Sequence, residues 1–142
     1  MGVAQSYKGN AAGAVEEGRQ MDAAFKQYEA AMKRKAPPEL WAAREELTGH
    51  ILIAQGKVKE GLSALGVASN TQRHLRYSEP PYYPRPVNEA LGEIALKNGN
   101  LPVASTAFRT TLEDLPNSAR SLAGLRETQK RDGTKATGAG GF

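Results

Sequence analysis

The sequence contains no cysteine among its 142 residues. This absence excludes disulfide bonds, thiolate zinc sites and a cysteine nucleophile, and it leaves the redox compartment open. Aromatic residues are also few, at 6%. No apolar run approaches the roughly 18 residues that a membrane span needs, so we expect no association with a membrane.

Charge of one sign does not dominate the chain. The formal net charge is +4, from 19 Lys and Arg against 15 Asp and Glu. Proteins that read nucleic acids usually concentrate positive charge on one face, so we expect no nucleic-acid partner. The densest basic stretches are Lys33–Lys35 and the group Arg126, Lys130, Arg131 and Lys135. They are better interpreted as helix ends than as phosphate sites, because cations stabilise helix C-termini.

Signatures of catalysis are missing too. The sequence has no nucleophile elbow, phosphate-binding loop or dinucleotide fingerprint. His50 and His74 have no partner at metal-ligand spacing, so we interpret both as ordinary surface or groove residues. The adjacent Glu45 and Glu46 point about 100° apart on a helix and cannot share a substrate. We therefore predict no enzymatic activity, no catalytic residue, no metal and no cofactor.

The first 15 residues are rich in Gly and Ala and contain no apolar core of a signal peptide. The sequence does not determine the compartment. We expect a soluble protein, either cytoplasmic or, if a signal peptide has been removed, periplasmic in a bacterium.

Apolar residues at three- and four-residue steps mark six helical segments. Representative markers are Phe25 and Tyr28, Leu47 and Ile51, Leu62 and Leu65, Leu91 and Ile94, Ala104 and Phe108, and Leu122 and Leu125. Pro38 and Pro86 suit helix starts, and Gly56 and Gly99 suit helix ends. No segment shows the alternation of a half-buried strand. These features predict an all-α fold of about six helices.

One helix–turn–helix unit occurs twice, with an offset of 43 residues between Gly49 and Gly92. A second pair of glycines, Gly56 and Gly99, coincides at the same offset. Glycine inside a helix costs about 1 kcal/mol relative to alanine. The sequence therefore predicts that a neighbouring helix approaches closely at Gly49 and Gly92.

The second copy resembles a tetratricopeptide repeat through Leu91-Gly92, Ala104, Phe108 and Pro116 at the family spacing. Thr111 replaces one small residue of the pattern. The first copy is more divergent, and Gly61 and Leu65 take the places of the small residue and the aromatic. Ala24, Tyr28 and Ala31 resemble the second helix of an earlier repeat.

The resemblance implies antiparallel helix pairs stacked as a short right-handed superhelix. The expected organisation is a flexible N-terminus (1–13), a helical domain (14–131) and a disordered tail (132–142). Within the domain we expect a second unit (38–69), a linker (70–85), a third unit (86–116) and a capping helix (117–131). The capping helix should keep its basic residues in solvent.

The linker contains Tyr77-Ser78-Glu79-Pro80-Pro81-Tyr82-Tyr83-Pro84. This stretch is similar to a Tyr-x-Glu-Pro-Pro…Tyr-Tyr-Pro linker between late repeats of bacterial tetratricopeptide proteins. The similarity implies a bacterial source and a place at the C-terminal end of a longer array. Because prolines restrict the unfolded chain, we expect the linker to be ordered and packed.

The functional hypothesis is a protein–protein interaction scaffold that binds a protein or peptide on the concave face. The predicted contact residues are Glu46, His50, Ile53, Glu89, Glu93, Leu96 and Lys97. Three glutamates on this face favour a partner segment that carries Lys or Arg. Tyr77, Tyr82 and Tyr83 form a secondary candidate site. Two alternatives stay open: a self-assembly module that forms homo-oligomers, and an accessory domain of a larger enzyme or assembly.

Overall fold

Six helices and no strand make up the part of the chain that the structure describes. The structure is a computed structural model that describes residues 9–75 and 85–138, residue 3 before them, and side chains as far as residue 133. The helices are α1 (Ala11–Met32), α2 (Pro38–Ala54), α3 (Val58–Arg73), α4 (Val87–Lys97), α5 (Leu101–Asp114) and α6 (Ala119–Gly138). The predicted all-α class is confirmed. None of these helices has the length and apolar character that a bilayer crossing requires.

Side-chain caps and left-handed glycines set the helix ends. Asn10 accepts a hydrogen bond from the Gly13 amide (2.9 Å) where α1 begins, and Asn100 accepts one from the Val103 amide (3.3 Å) where α5 begins. Each bond satisfies an amide that has no partner within its helix. Gly99 follows α4 with φ at +75°, as its place after a helix predicts.

Three predicted boundaries are wrong. Helix α1 begins at Ala11 rather than at 14, because the Asn10 cap starts it earlier. Helix α3 continues to Arg73, four residues into the predicted linker. Helix α6 continues to Gly138, whereas the sequence predicted a disordered tail from 132. Extending an existing helix avoids the cost of nucleation, so the segment needs no apolar periodicity of its own. Residues 139–142 lie outside the described residues.

The chain divides into two compact units, residues 1–84 and residues 85–142. The division falls inside the predicted linker (70–85). Each unit contains one helix pair joined by a three-residue turn, α2–α3 in the first unit and α4–α5 in the second. The predicted helix–turn–helix repeat is therefore present in both units.

In the first unit, α2 and α3 pack through glycine. A Cβ atom placed on Gly49 would lie 2.6 Å from Cγ of Leu65, and one placed on Gly61 would lie 2.7 Å from Cδ1 of Ile53. Both distances are shorter than side-chain contacts allow, so an added Cβ atom would force its neighbours to shift. As the contacts move along α2 from Gly49 to Ile53, they move back along α3 from Leu65 to Gly61, so the pair is antiparallel.

In the second unit, Phe108 of α5 lies fully buried between two glycines. A Cβ atom on Gly92 of α4 would lie 2.7 Å from Cε1 of the Phe108 ring, and one on Gly124 of α6 would lie 2.6 Å from it. The contact of Gly92 with Phe108 repeats that of Gly49 with Leu65, 43 residues further along the chain. The predicted close approach is confirmed at both glycines.

Of the two leucines that mark α6 in the sequence, Leu122 is exposed and Leu125 is only half-buried. Leu122 is 38% exposed, whereas Ser121 and Thr128 are buried. Thr128 satisfies its hydroxyl by donating to the Gly124 carbonyl (2.8 Å). Small residues are required here because the Phe108 ring occupies the space beside Gly124.

Helix α1 packs on α2 through a mixed set of contacts. Phe25 meets Trp41 edge to face, with ring centroids 5.0 Å apart. One turn away, Arg44 donates two hydrogen bonds to the Asp22 carboxylate (2.6 and 2.9 Å). The Arg44 hydrogen bonds lower the pKa of Asp22. Trp41 is 41% exposed, so only part of its side chain is packed against the protein.

The repeat-like stripe predicted on α1 does not form the contact with α2. Ala24 and Ala31 are exposed and Tyr28 is half-buried, whereas Ala14, Gly18 and Phe25 are buried. The family pattern matched residues one position away from those that face α2. Gly18 allows α1 to approach Ile51, whose Cδ1 would lie 3.3 Å from an added Cβ atom.

We predict that Gly92→Ala destabilises the protein by about 1–3 kcal/mol, because a well-packed core does not absorb an added methyl. The Phe108 ring cannot move away, since Gly124 lies against it. Gly66→Ala is the matched control, in a helix where nothing lies within 4 Å of the added methyl. There the helix preference of alanine should stabilise by up to about 1 kcal/mol. Chemical denaturation measures both; the same sign for both variants would show that Gly92 is not a close contact.

We predict that the Asp22–Arg44 pair contributes stability that is lost in acid. Since the folded pKa of Asp22 is lowered below its ordinary value of 3.8, the contribution is complete above that value and disappears as pH falls through the folded pKa. Asp22 is about half exposed, so Asp22→Asn should cost no more than about 1 kcal/mol at neutral pH. Thermal melts between pH 7 and pH 2 should converge for the two proteins. A constant gap across that range would contradict the assignment.

Candidate partner-binding surface

The residues predicted to contact a partner form one stripe on each helix pair, called here the α2 stripe and the α4 stripe. The α2 stripe consists of Glu46, His50 and Ile53, and the α4 stripe of Glu89, Glu93, Leu96 and Lys97. The repeat offset of 43 residues relates Glu46 to Glu89, His50 to Glu93 and Ile53 to Leu96. The two stripes thus occupy equivalent positions on the two helix pairs.

Glu89 is not accessible on α4, although the sequence predicted it as a contact residue. Only 5% of the residue is exposed. Its Oε2 atom accepts a hydrogen bond from the Ser118 hydroxyl (2.8 Å) and a longer one from the Ser121 hydroxyl (3.4 Å). The prediction fails because α6 packs on this side of α4, which a wheel drawn for α4 alone does not include.

Ser118 links Glu89 to the start of α6. Its hydroxyl donates to Glu89 and accepts from the Ser121 amide (3.2 Å), so Ser118 caps this helix. The Glu89 carboxylate lies beside the amino end of α6, where the helix dipole favours negative charge. Glu89 therefore holds α6 on α4 and is unavailable to a partner.

Arg85 forms ion pairs with both glutamates of the α4 stripe. Its Nε atom lies 3.1 Å from Oε1 of Glu89, and its Nη2 atom donates to Oε2 of Glu93 (2.8 Å). The Nε contact is an ion pair without hydrogen-bond alignment. Arg120 of α6 reaches the other oxygen of Glu93 at 3.6 Å. Glu93 keeps 41% of its side chain exposed, so it is the accessible carboxylate of this stripe.

Leu96 and Lys97 close the α4 stripe at the carboxyl end of the helix. Lys97 is exposed and Leu96 is half-buried. Arg131 of α6 donates to the Leu96 carbonyl (3.3 Å) and to Glu127 (2.7 Å). The Arg131 hydrogen bond lowers the pKa of Glu127. Accessible groups of the α4 stripe are therefore one paired carboxylate, one apolar side chain and one lysine.

The α2 stripe is also more buried than the sequence predicted. His50 is 3% exposed, so it is not a surface residue, and its Nε2 atom lies 3.9 Å from Oε1 of Glu46. Ile53 turns its Cδ1 atom toward Gly61 of α3, which leaves the residue half-buried. Glu46 has a side-chain exposure of 21% and is the most polar accessible group of this stripe.

The secondary candidate site cannot be placed. Tyr77, Tyr82 and Tyr83 fall within residues 76–84, which lie outside the described residues. Across the described residues, no group of three or more His, Asp and Glu side chains could hold a metal ion.

Sequence reasoning missed Arg85, Ser118 and Ser121. One signal was available: Arg85 stands four residues before Glu89, a spacing at which opposite charges meet on a helix. No local signal joins Ser118 to Glu89, because 29 residues separate them and only the packing of α6 brings them together.

We predict that Glu89→Gln destabilises the protein by about 1–3 kcal/mol, because it removes the charge that faces the buried Nε atom of Arg85 and the Ser118 hydroxyl. Ser118→Ala should cost about 1 kcal/mol through the lost cap. Since the two residues share one hydrogen bond, the double variant should lose less than the sum of the two. Glu60→Gln, on an exposed position of α3, is the control. Additive losses in urea denaturation would show that Glu89 and Ser118 are not coupled.

Comparisons of the chain with family models, with curated proteins and with solved structures gave no match. The likeness to tetratricopeptide repeats therefore stays a prediction, and a function has to be argued from the residues themselves.

Proposed function

We propose that this chain is a protein–protein interaction scaffold of the tetratricopeptide type, which binds a protein or peptide segment on its helix stripes. One observation carries the proposal. Two helix pairs use the same glycine contact 43 residues apart, Gly49 against Leu65 and Gly92 against Phe108. Repeated helix pairs of this kind are structural frames whose outer positions are free to vary, and such frames commonly serve binding.

Residues that combine a stripe position with accessibility are the best candidates for contact. Glu93, Leu96 and Lys97 meet both criteria in the second unit, and Glu46 and Ile53 do so in part in the first. Glu89 and His50 are assigned to the frame because they are buried. A partner would meet an apolar side chain between charged ones, which suits a peptide better than a small ligand.

We still propose a partner segment that carries Lys or Arg. The proposal now rests on two accessible glutamates rather than three, because Glu89 is buried. Glu46 and Glu93 keep accessible carboxylate oxygens. Glu93 is shared between Arg85 and Arg120, and Arg120 is 63% exposed at a separation of 3.6 Å. A loose surface pair of this kind contributes little, so a cation from a partner can replace Arg120 at small cost.

The test uses peptides selected from a random phage-displayed library against the immobilised chain. Peptides that bind should carry Lys or Arg, and their affinity should fall as salt screens the charges. Glu93→Gln should weaken binding, and Glu93→Lys should weaken it by about ten-fold or more. Glu60→Lys makes the same charge change on an exposed position of α3 and should have no effect.

Two results would contradict this proposal. If Glu93→Lys and Glu60→Lys behave alike while both proteins melt as wild type does, the α4 stripe is not the binding surface. If light scattering shows the chain associating with itself and selected peptides do not compete, self-assembly is the better interpretation.

A further inference from the structure

A cleft lies in the first unit, at the turn that connects α1 to α2 and away from the α2 stripe. It has a volume of about 750 Å³ and is lined by Arg34, Lys35, Ala36, Pro37, Pro38, Glu39, His74 and Leu75. This volume is within the range of roughly 300–1,000 Å³ that is usual for ligand sites. The lining contains two permanent cations and an imidazole but only one carboxylate.

Two nitrogen-bearing side chains of the lining, Arg34 and His74, are held in place by hydrogen bonds from outside the cleft. Arg34 donates to the Tyr28 hydroxyl from Nε (3.1 Å) and Nη2 (2.7 Å), and its Nη1 atom has no partner among the described residues. His74 directs Nδ1 to the Asn70 carbonyl at 2.7 Å, which fixes the ring and leaves Nε2 on its other edge. Side chains fixed before binding lose less entropy when a ligand arrives.

Lys35 is available to a ligand for a different reason. Its Nζ atom lies 3.8 Å from the Glu29 carboxylate, and 88% of its side chain is exposed. The other oxygen of Glu29 already accepts the Ala36 amide at 3.0 Å. Such an exposed pair is weak, so an incoming carboxylate can compete for Lys35.

We propose that this cleft docks an acidic segment of a protein partner, with an apolar side chain next to its carboxylates. Charge complementarity determines the sign of the partner, and the remaining lining determines its class. Pro37, Pro38 and Leu75 offer an apolar surface that a polypeptide side chain covers and a phosphate group does not use. Nucleic-acid binding would need cations spread along a longer face.

The site is distinct from the α2 and α4 stripes and does not depend on the function proposed for them. Two residues of the basic run at 33–35, Arg34 and Lys35, line this cleft. The sequence alone favoured that run as a helix end. Lys33 adopts a left-handed conformation with φ of +51°, a place usually taken by Gly or Asn. That backbone geometry leads the chain from α1 into the turn that carries Arg34 and Lys35.

Fluorescence anisotropy with labelled octapeptides tests the proposal on the full chain. The probes are an alternating Glu/Leu peptide, an alternating Lys/Leu peptide and an alternating Glu/Ser peptide. The Glu/Leu peptide should bind most tightly, and its affinity should fall between about 50 and 300 mM salt. The Arg34→Glu, Lys35→Glu double variant should weaken it by at least about ten-fold.

The matched control is the Arg109→Glu, Arg126→Glu double variant, which changes the net charge equally at two exposed positions of the second unit. It should bind as wild type does, and all variants should melt cooperatively. If both double variants weaken Glu/Leu binding equally, the effect comes from the net charge of the protein, and the proposal is overturned. Tighter binding of a thymidine oligonucleotide would overturn it as well, and so would Lys/Leu binding that exceeds Glu/Leu binding in the Glu93→Lys variant, where the α4 stripe no longer favours a basic peptide. Glu93→Lys should leave Glu/Leu binding within about two-fold, which separates this site from the stripe.

Discussion

The second unit depends on one contact, the Phe108 ring between two glycines. Gly92 and Gly124 have no side chain, so α4 and α6 both approach the ring of α5 until no space remains for a methyl group. An aromatic ring at this position supplies apolar burial to three helices at once. The rest of the unit follows from it, since α6 can then bury only small residues such as Ser121 and Thr128.

Polar contacts, as well as apolar burial, hold α6 against α4. This helix has few large apolar residues, and Leu122 remains exposed. Glu89 compensates by joining the amino end of α6 to α4, and Arg85 balances its charge. A buried carboxylate is costly unless every partner is present, so the arrangement specifies where α6 sits as well as stabilising it. The first unit uses the same device between α1 and α2, through Asp22 and Arg44.

The sequence predicted the features that depend on the periodicity of neighbouring residues. Helix content, the left-handed Gly99 and the close approach at Gly49 and Gly92 all follow from spacing within one helix pair. What failed depended on contacts between helices distant in the chain. A wheel for α4 cannot know that α6 covers Glu89, and a wheel for α2 cannot know that His50 is buried. Two of the seven predicted contact residues, Glu89 and His50, are therefore buried in helix contacts, and the other five stay a prediction.

The repeat separates the positions that set the helix contact from the positions of the stripes. The 43-residue offset keeps a glycine at 49 and 92, but it places Glu46 and His50 where the second copy has Glu89 and Glu93. Positions that set the helix contact are constrained by sterics, because no side chain fits there. Stripe positions are not restricted to glycine, and their side chains differ between the copies: a histidine–glutamate pair in one, two glutamates on a shared arginine in the other. A frame of this kind can present unlike surfaces to partners without changing its own packing.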